Sequence, residues 1–291
     1  MADLQEIGAH RKWLSTGIAP SDHEFLLSTG QRVELVSLEP IPARGRDPRM
    51  PEIAGRVVGE NAVRRRLAEI AAGLSSLIVG EGFVLRQVES ASQLLPEGHP
   101  CKPVVADSVA LARRLRDETG LVAALDYPAA ALTALAERAE PAGRTLLVVG
   151  GGMLGQAVAE QAGSAGYTQA LIVTRTPSRL RRSLAGTTHP ISLSRADGAR
   201  EMLGTRHWDA VIATTTHDEG YRARIKTLID APECVGAVDL SGVPLRAQLT
   251  DRYQHMYGPR FTSLVHKQNR YVARRADLVR RRIAESIGQQ R

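Results

Sequence analysis

Residues 144–182, reading RTLLVVGGGMLGQAVAEQAGSAGYTQALIVTRTPSRLRR, limit what this chain can fold into more than any other stretch. Residues 146–149 are a valine-rich apolar run, as expected of a strand buried on both faces. Gly150, Gly152 and Gly155 follow at G-x-G-x-x-G spacing, leading into a small-residue helix over 153–165 and a second apolar strand over 170–173. This is one βαβ unit of about thirty residues, the context in which such a turn cradles a dinucleotide. Gly150 allows the tight turn out of the strand. Gly152 lets the backbone approach a pyrophosphate at the helix N-terminus, where Met153 and Leu154 lie, and Gly155 lets helix and strand pack closely.

The end of the second strand selects the nucleotide. An NAD site places Asp or Glu there to hold the ribose 2′-hydroxyl. Here the chain reads Thr174, Arg175, Thr176, then Ser178, Arg179, Arg181 and Arg182, without an acid. Planar guanidinium groups suit a 2′-phosphate that a carboxylate would repel. The expected cofactor is NADPH. Thr214, Thr215 and Thr216 follow a further apolar run at 210–213 and fall where doubly wound sheets bind ligand.

At 291 residues the chain is long enough for two domains with their own cores. No apolar run reaches the ~18 residues of a membrane span, and the N-terminus lacks a secretory pattern. Cys101 and Cys234 are the only cysteines, which argues against a disulfide scaffold and suits a reducing cytoplasm. Neither has a neighbour at metal-ligand spacing, so no metal is expected. The formal charge of +7 is spread along the chain rather than interleaved with aromatics; it admits tRNA as a partner without requiring it.

Outside the βαβ core, 31–38 alternates as a strand, and 40–51 is rich in proline. Residues 60–77 carry helical periodicity, and 75–95 hold a Gly-Glu-Gly break followed by a second amphipathic helix. Asp107 is placed to cap an arginine-rich helix over 109–118, and 127–138 is a further helix. Strands are expected at 189–194, 210–213 and 235–240. Residues 263–289 form a long, polar helix whose sparse apolar positions suggest that it bridges domains or subunits. The expected fold is α/β: a Rossmann-type doubly wound parallel sheet over 105–262, preceded by a smaller α+β domain over 1–104 and followed by the C-terminal helix over 263–291.

Several blocks resemble one family. AAGLSSLIVGEGFVLRQV at 71–88 is similar to the signature of glutamyl-tRNA reductase, in which G-L-S-S leads to G-E and then L-x-Q-V. RRLRDETGL at 113–121, LLVVGGGMLGQAVAE with VTRT, and DLSGVP at 239–244 match later blocks in the family's order. The resemblance covers about 65–290. It implies a catalytic N-terminal domain, a central NADPH domain and a long spinal helix leading to a C-terminal dimerisation domain; for this chain the C-terminal helix is the candidate surface for a homodimer. In that family a cysteine thiolate attacks glutamyl-tRNA, and hydride from NADPH releases glutamate-1-semialdehyde on a route to tetrapyrroles. A thioester accepts hydride far more readily than an ester does.

The chain departs from this pattern where the nucleophile belongs. Glu39 stands near the position of the family's S-T-C-N-R block, Arg66 aligns with its histidine, and its N-terminal strand and histidine motif are not visible. The resemblance thus implies a divergent, truncated homologue without the catalytic cysteine. Glu81 and Gln87 remain as substrate-side candidates, with helix capping and packing as their plain alternative. Three functions follow. The first is an NADPH-dependent oxidoreductase acting on an aldehyde, imine or activated acyl group. The second is a true glutamyl-tRNA reductase with a displaced nucleophile, for which Cys101 is the candidate. The third is a non-catalytic protein that binds NADPH or aminoacyl-tRNA.

Overall fold

The computed structural model describes residues 3–7, 22–29, 33–37, 53–184, 186–214, 218–246 and 248–289. The chain divides into two compact units, one of residues 1–124 with 268–291 and one of residues 125–267.

The first unit holds a four-stranded antiparallel sheet in the order β2-β3-β1-β4, made of β1 (Asp3–Ile7), β2 (Glu24–Ser28), β3 (Val33–Ser37) and β4 (Ile53–Val58). The N-terminal strand that the sequence concealed is therefore present: β1 lies between β3 and β4. It is short, and only its pairing distinguishes it from a loop. Helices α1 (Glu60–Ala71), α2 (Phe83–Gln93) and α3 (Lys102–Thr119) complete this unit with the later part of the C-terminal helix. The periodicity expected to run to residue 77 stops as helix at Ala71, because Gly73 turns the chain with φ of +76°.

Helix α3 begins well before the expected 109. Pro103 sits in its first turn, where a missing N–H costs nothing. Asp107 therefore lies inside the helix and pairs with Arg64 at 2.9 Å instead of capping. The boundary expected after residue 104 cuts this helix, and the structure moves it to 124/125. Val105, Ala112 and Leu115 explain the shift, since they pack in one core with Leu67 and Ile70 of α1 and Val88 of α2.

The second unit opens with α4 (Tyr127–Ala136), whose N-terminus Asp126 caps by accepting from the Ala129 N–H at 2.9 Å. It continues through β5 (Thr145–Val149), α5 (Met153–Gln161), β6 (Gln169–Val173), α6 (Pro177–Arg181), β7 (Ile191–Ser194), α7 (Ala196–Leu203), β8 (Trp208–Ile212), α8 (Glu219–Asp230), β9 (Cys234–Asp239) and β10 (Tyr253–His255). All pairings among the six strands are parallel, in the order β10-β9-β8-β5-β6-β7. From β5 the chain steps outward to β7 on one side, then returns to β8 on the other. This is the Rossmann order with its switch point between β5 and β8. The central strands β5 and β8 are buried along their whole length, as in a parallel sheet covered on both faces, so the α/β class expected from the sequence holds.

The last helix, α9 (Pro259–Gly288), runs through the division between the units. The long polar helix expected over 263–289 also has a buried apolar face. Val272, Ala276, Val279 and Ile283 recur at alternating steps of four and three and are buried in the core of the first unit. A narrow stripe suffices when it repeats every turn.

Candidate functional site

The three glycines of the turn are there for different reasons. Gly150 has φ of +115°, and an added Cβ would stand 2.6 Å from the Thr214 Cβ. At Gly155 a Cβ would meet the Gly150 carbonyl oxygen at 1.9 Å. Both are demanded by the fold itself. Gly152 is not: its φ of −75° is open to any residue, and an added Cβ would meet nothing within 4 Å. It forms the N-cap of α5, and no side chain caps the amides that follow. Those amides, in the turn that begins with Met153 and Leu154, present the positive end of the helix dipole to whatever lies outside. A glycine here leaves the backbone amides open to an outside body. The arrangement fits a pyrophosphate.

The strand ends around this turn are tied by backbone bonds. Gly150 N–H donates to Val173 O at 2.9 Å, Ala213 N–H to Val149 O at 2.8 Å, and Leu240 N–H to Ile212 O at 2.9 Å. Each bond extends the ladder one residue beyond the strands, so the ends of β6, β5, β8 and β9 form one continuous edge. Thr214 lies on it, against Gly150. Thr215 and Thr216 lie outside the described residues.

Next to the glycine turn is the end of β6. Thr174 Oγ1 would be 3.2 Å from a Cβ on Gly151, and it accepts weakly from the Thr176 N–H at 3.4 Å. Arg175, Thr176 and Arg179 are exposed. Among the described residues Arg175 and Arg179 form no ion pair, and from Gln161 to Ala196 the sequence has no acid. Two unneutralised guanidinium groups at the end of the strand next to the glycine turn would suit a 2′-phosphate. The residues present thus fit NADP(H), which would supply a hydride.

At the opposite, N-terminal edge of the sheet lies a buried polar cluster that sequence reasoning missed. Arg144 pairs with Asp209 at 3.2 Å, and the Tyr167 hydroxyl donates to the same carboxylate at 3.0 Å. Burial raises Asp209 above the ordinary carboxylate range against the opposing pull of Arg144, and burial likewise raises the Tyr167 hydroxyl. The Cys234 thiol, buried near Asp209, is pushed up to about 12, mainly by burial. It is an inert core thiol. The available signal was an aspartate flanked by Trp208 and Ala210 within an apolar strand.

In the first unit, the Glu81 carboxylate accepts from Phe83 N–H at 2.5 Å, Val84 N–H at 3.1 Å and Ser76 Oγ–H at 3.1 Å. It caps the start of α2. Burial raises its pKa, against the lowering effect of those hydrogen bonds and of Arg116. The Arg116 guanidinium ties down the same turn by donating to the carbonyls of Ala72, Gly80 and Glu81 at 2.8, 2.9 and 2.9 Å. Gln87 is half-buried on α2.

Arg66, which stands where the family's histidine is expected, pairs at 2.8 Å with the buried Glu34 of β3. Glu39 lies outside the described residues. Cys101, remote in sequence, is brought to the same strand: its thiol donates to Val36 O at 3.8 Å and to His23 O at 3.4 Å. It is completely buried. No helix among the described residues is long and apolar enough to cross a membrane.

A doubly wound parallel sheet with a glycine turn at its switch point defines the Rossmann class of nucleotide-binding folds. No established protein-family profile matches the chain. It is 31% identical over 250 residues to Protein nfe2 of Rhizobium meliloti, covering 80% of this chain and 77% of that one. It is 29% identical over 211 residues to glutamyl-tRNA reductase of Halobacterium salinarum, covering 69% of this chain and 48% of that protein. The solved glutamyl-tRNA reductase of Methanopyrus kandleri aligns over 99% of this chain and 79% of that one at 20% identity, with a TM-score of 0.46. This chain belongs to the glutamyl-tRNA reductase family, as a divergent member. It spans about half the length of the Halobacterium enzyme.

Proposed function

We propose that the protein is an NADPH-dependent oxidoreductase of the glutamyl-tRNA reductase family that delivers hydride to an aldehyde, an imine or an activated acyl group without forming a cysteine thioester. The observation that carries this reading is Gly152, an exposed glycine that neither backbone conformation nor packing demands, beside a strand end bearing Arg175 and Arg179 and no acid. Gly150, Met153, Leu154 and Gly155 build the pyrophosphate cradle, and Thr174, Thr176 and Thr214 line the adjoining edge. The complete burial of Cys101, whose thiol donates to two backbone carbonyls, supports a route that does not use it as a nucleophile. Glu81 fixes the start of α2 in the first unit. An aminoacyl-tRNA, as in the relatives' name, is the acyl substrate to try first. The exposed arginines of α9 are where a polyanion or a second copy would be sought.

The test is a calorimetric titration of NADPH against NADH, in wild type and in Arg175→Ala. Losing a charge-assisted contact to the 2′-phosphate costs about 1.5–3 kcal/mol, so NADPH affinity falls about 10- to 100-fold while NADH affinity stays unchanged. Equal losses for both cofactors would remove the 2′-phosphate assignment. Displacement of the nucleophile to Cys101 is tested separately: abolished aldehyde formation from charged tRNA in a folded Cys101→Ser variant would restore the thioester route.

A further inference from the structure

The ligand-binding edge of the parallel sheet carries a second built element, beyond the glycine turn. Residues 240–245 leave β9 and wind around one carboxylate, that of the fully buried Asp239. One oxygen of Asp239 accepts from Ser241 N–H at 2.8 Å. The other accepts from Leu245 N–H at 2.9 Å and from the Tyr253 hydroxyl at 2.5 Å. The Tyr253 oxygen also accepts from Leu245 N–H at 3.0 Å.

Two residues further along β10, His255 Nε2 stands 2.7 Å from Ser241 O, and its Nδ1 accepts from Tyr257 N–H at 3.3 Å. With Nδ1 accepting, the ring proton lies on Nε2 and is donated to the Ser241 carbonyl. The parallel register sets Tyr253 opposite Ala237 and His255 opposite Asp239, so each side chain reaches two residues ahead along β9. From α8, Arg222 donates to Pro244 O at 2.9 Å.

A loop fastened at 241, 244 and 245 is built to hold one shape. Its tip is nevertheless outside: the Val243 side chain is 40% exposed. The loop starts on the tied edge, since Leu240 bonds to the end of β8 and Ala213 to the end of β5, where the glycine turn begins. A rigid loop thus offers one apolar side chain beside the cleft that would hold a dinucleotide.

We infer that the 240–245 loop is a wall that positions the nicotinamide end of the cofactor, with Val243 as the contact and Asp239, Tyr253 and His255 as positioning residues. The inference rests on the NADPH reading above. Hydride transfer requires the ring face to be held within ~3–3.5 Å of its acceptor, and an apolar contact on stiff backbone orients a flat ring by keeping water off one side.

The experiment titrates NADPH and adenosine 2′,5′-bisphosphate, which lacks the nicotinamide half, into wild type, Val243→Asp and Tyr253→Phe. Val243→Asp changes an exposed side chain and leaves the clamp intact. Its expected result is about tenfold weaker NADPH binding with unchanged binding of the bisphosphate. Tyr253→Phe loosens the loop and is expected to show the same asymmetry at about threefold, well below one decade. Unchanged affinity for both ligands in both variants overturns the inference and leaves the NADPH reading standing. Equal loss of both ligands in Val243→Asp also overturns it, because a nicotinamide wall cannot affect a ligand without nicotinamide. Wild type that binds neither ligand removes the NADPH reading and this one with it.

Discussion

The carbonyl oxygen of Gly150 would lie 1.9 Å from a Cβ placed on Gly155, so the backbone of the first glycine dictates the third. Gly155→Ala forces strand and helix apart and is expected to destabilise the protein by ~3 kcal/mol or more. Gly152→Ala is the informative contrast. With ordinary φ and nothing within 4 Å, it should stay within about 1 kcal/mol of wild type in urea unfolding. It should nevertheless weaken NADPH binding. A Gly152→Ala protein that binds NADPH normally would show that the turn serves packing alone.

Arg144 and Asp209 are expected to behave as a buried pair whose halves cannot be separated. Their side chains are 10% and 1% exposed. Arg144→Met leaves the buried carboxylate with the Tyr167 hydroxyl, the Gly236 N–H and the weaker pull of Arg138, at a cost of ~3–5 kcal/mol. Adding Asp209→Asn to that variant should recover a large part of the loss, because the uncompensated charge is gone. Additive losses in the double-mutant cycle would mean that the two residues act independently.

Much of the second unit was legible because its signals are local. The glycine spacing and the valine-rich strands each declare themselves within a few residues. The clamp on the 240–245 loop was not legible, since Tyr253 meets Asp239 only through the parallel register of β9 with a three-residue strand. The same limit hid β1, which has no pattern of its own, and the approach of Cys101 to β3 across 65 residues of sequence. The cap assigned to Asp107 failed for another reason: Pro103 is a stronger start signal, and the aspartate was spent on Arg64. The candidate cofactor residues were thus readable as residue types, whereas the polar bonds that stiffen the site were not.

Glu81→Gln separates capping from substrate recognition. Replacing one accepting oxygen with an amide donor that faces the Phe83 and Val84 N–H groups should cost ~1–2 kcal/mol, as for a lost helix cap. The pH dependence has a definite sign. Burial raises the folded carboxyl above its ordinary value of 4.5, so folding takes up protons in the window above that value. Wild type therefore loses stability as pH rises through the window, the glutamine variant lacks that contribution, and the gap between them narrows. Parallel pH profiles, measured by chemical denaturation, would argue against a raised Glu81. A folded variant with normal stability and a raised KM would instead return Glu81 to the substrate side.

Charge density alone misreads α9, and two substitutions on it should part company. Ile283 is fully buried in the core of the first unit with Val279 and Ala276, so Ile283→Ala is expected to cost ~2–5 kcal/mol. Arg275 is exposed, and among the described residues it has no ion pair. Arg275→Ala should move stability by no more than about 0.5 kcal/mol. The arginines keep one face of the helix solvated while the stripe at 272, 276, 279 and 283 holds the other. Their number raises the net charge without loosening the core. If Ile283→Ala left the unfolding midpoint unchanged, the stripe would not be holding the helix in place.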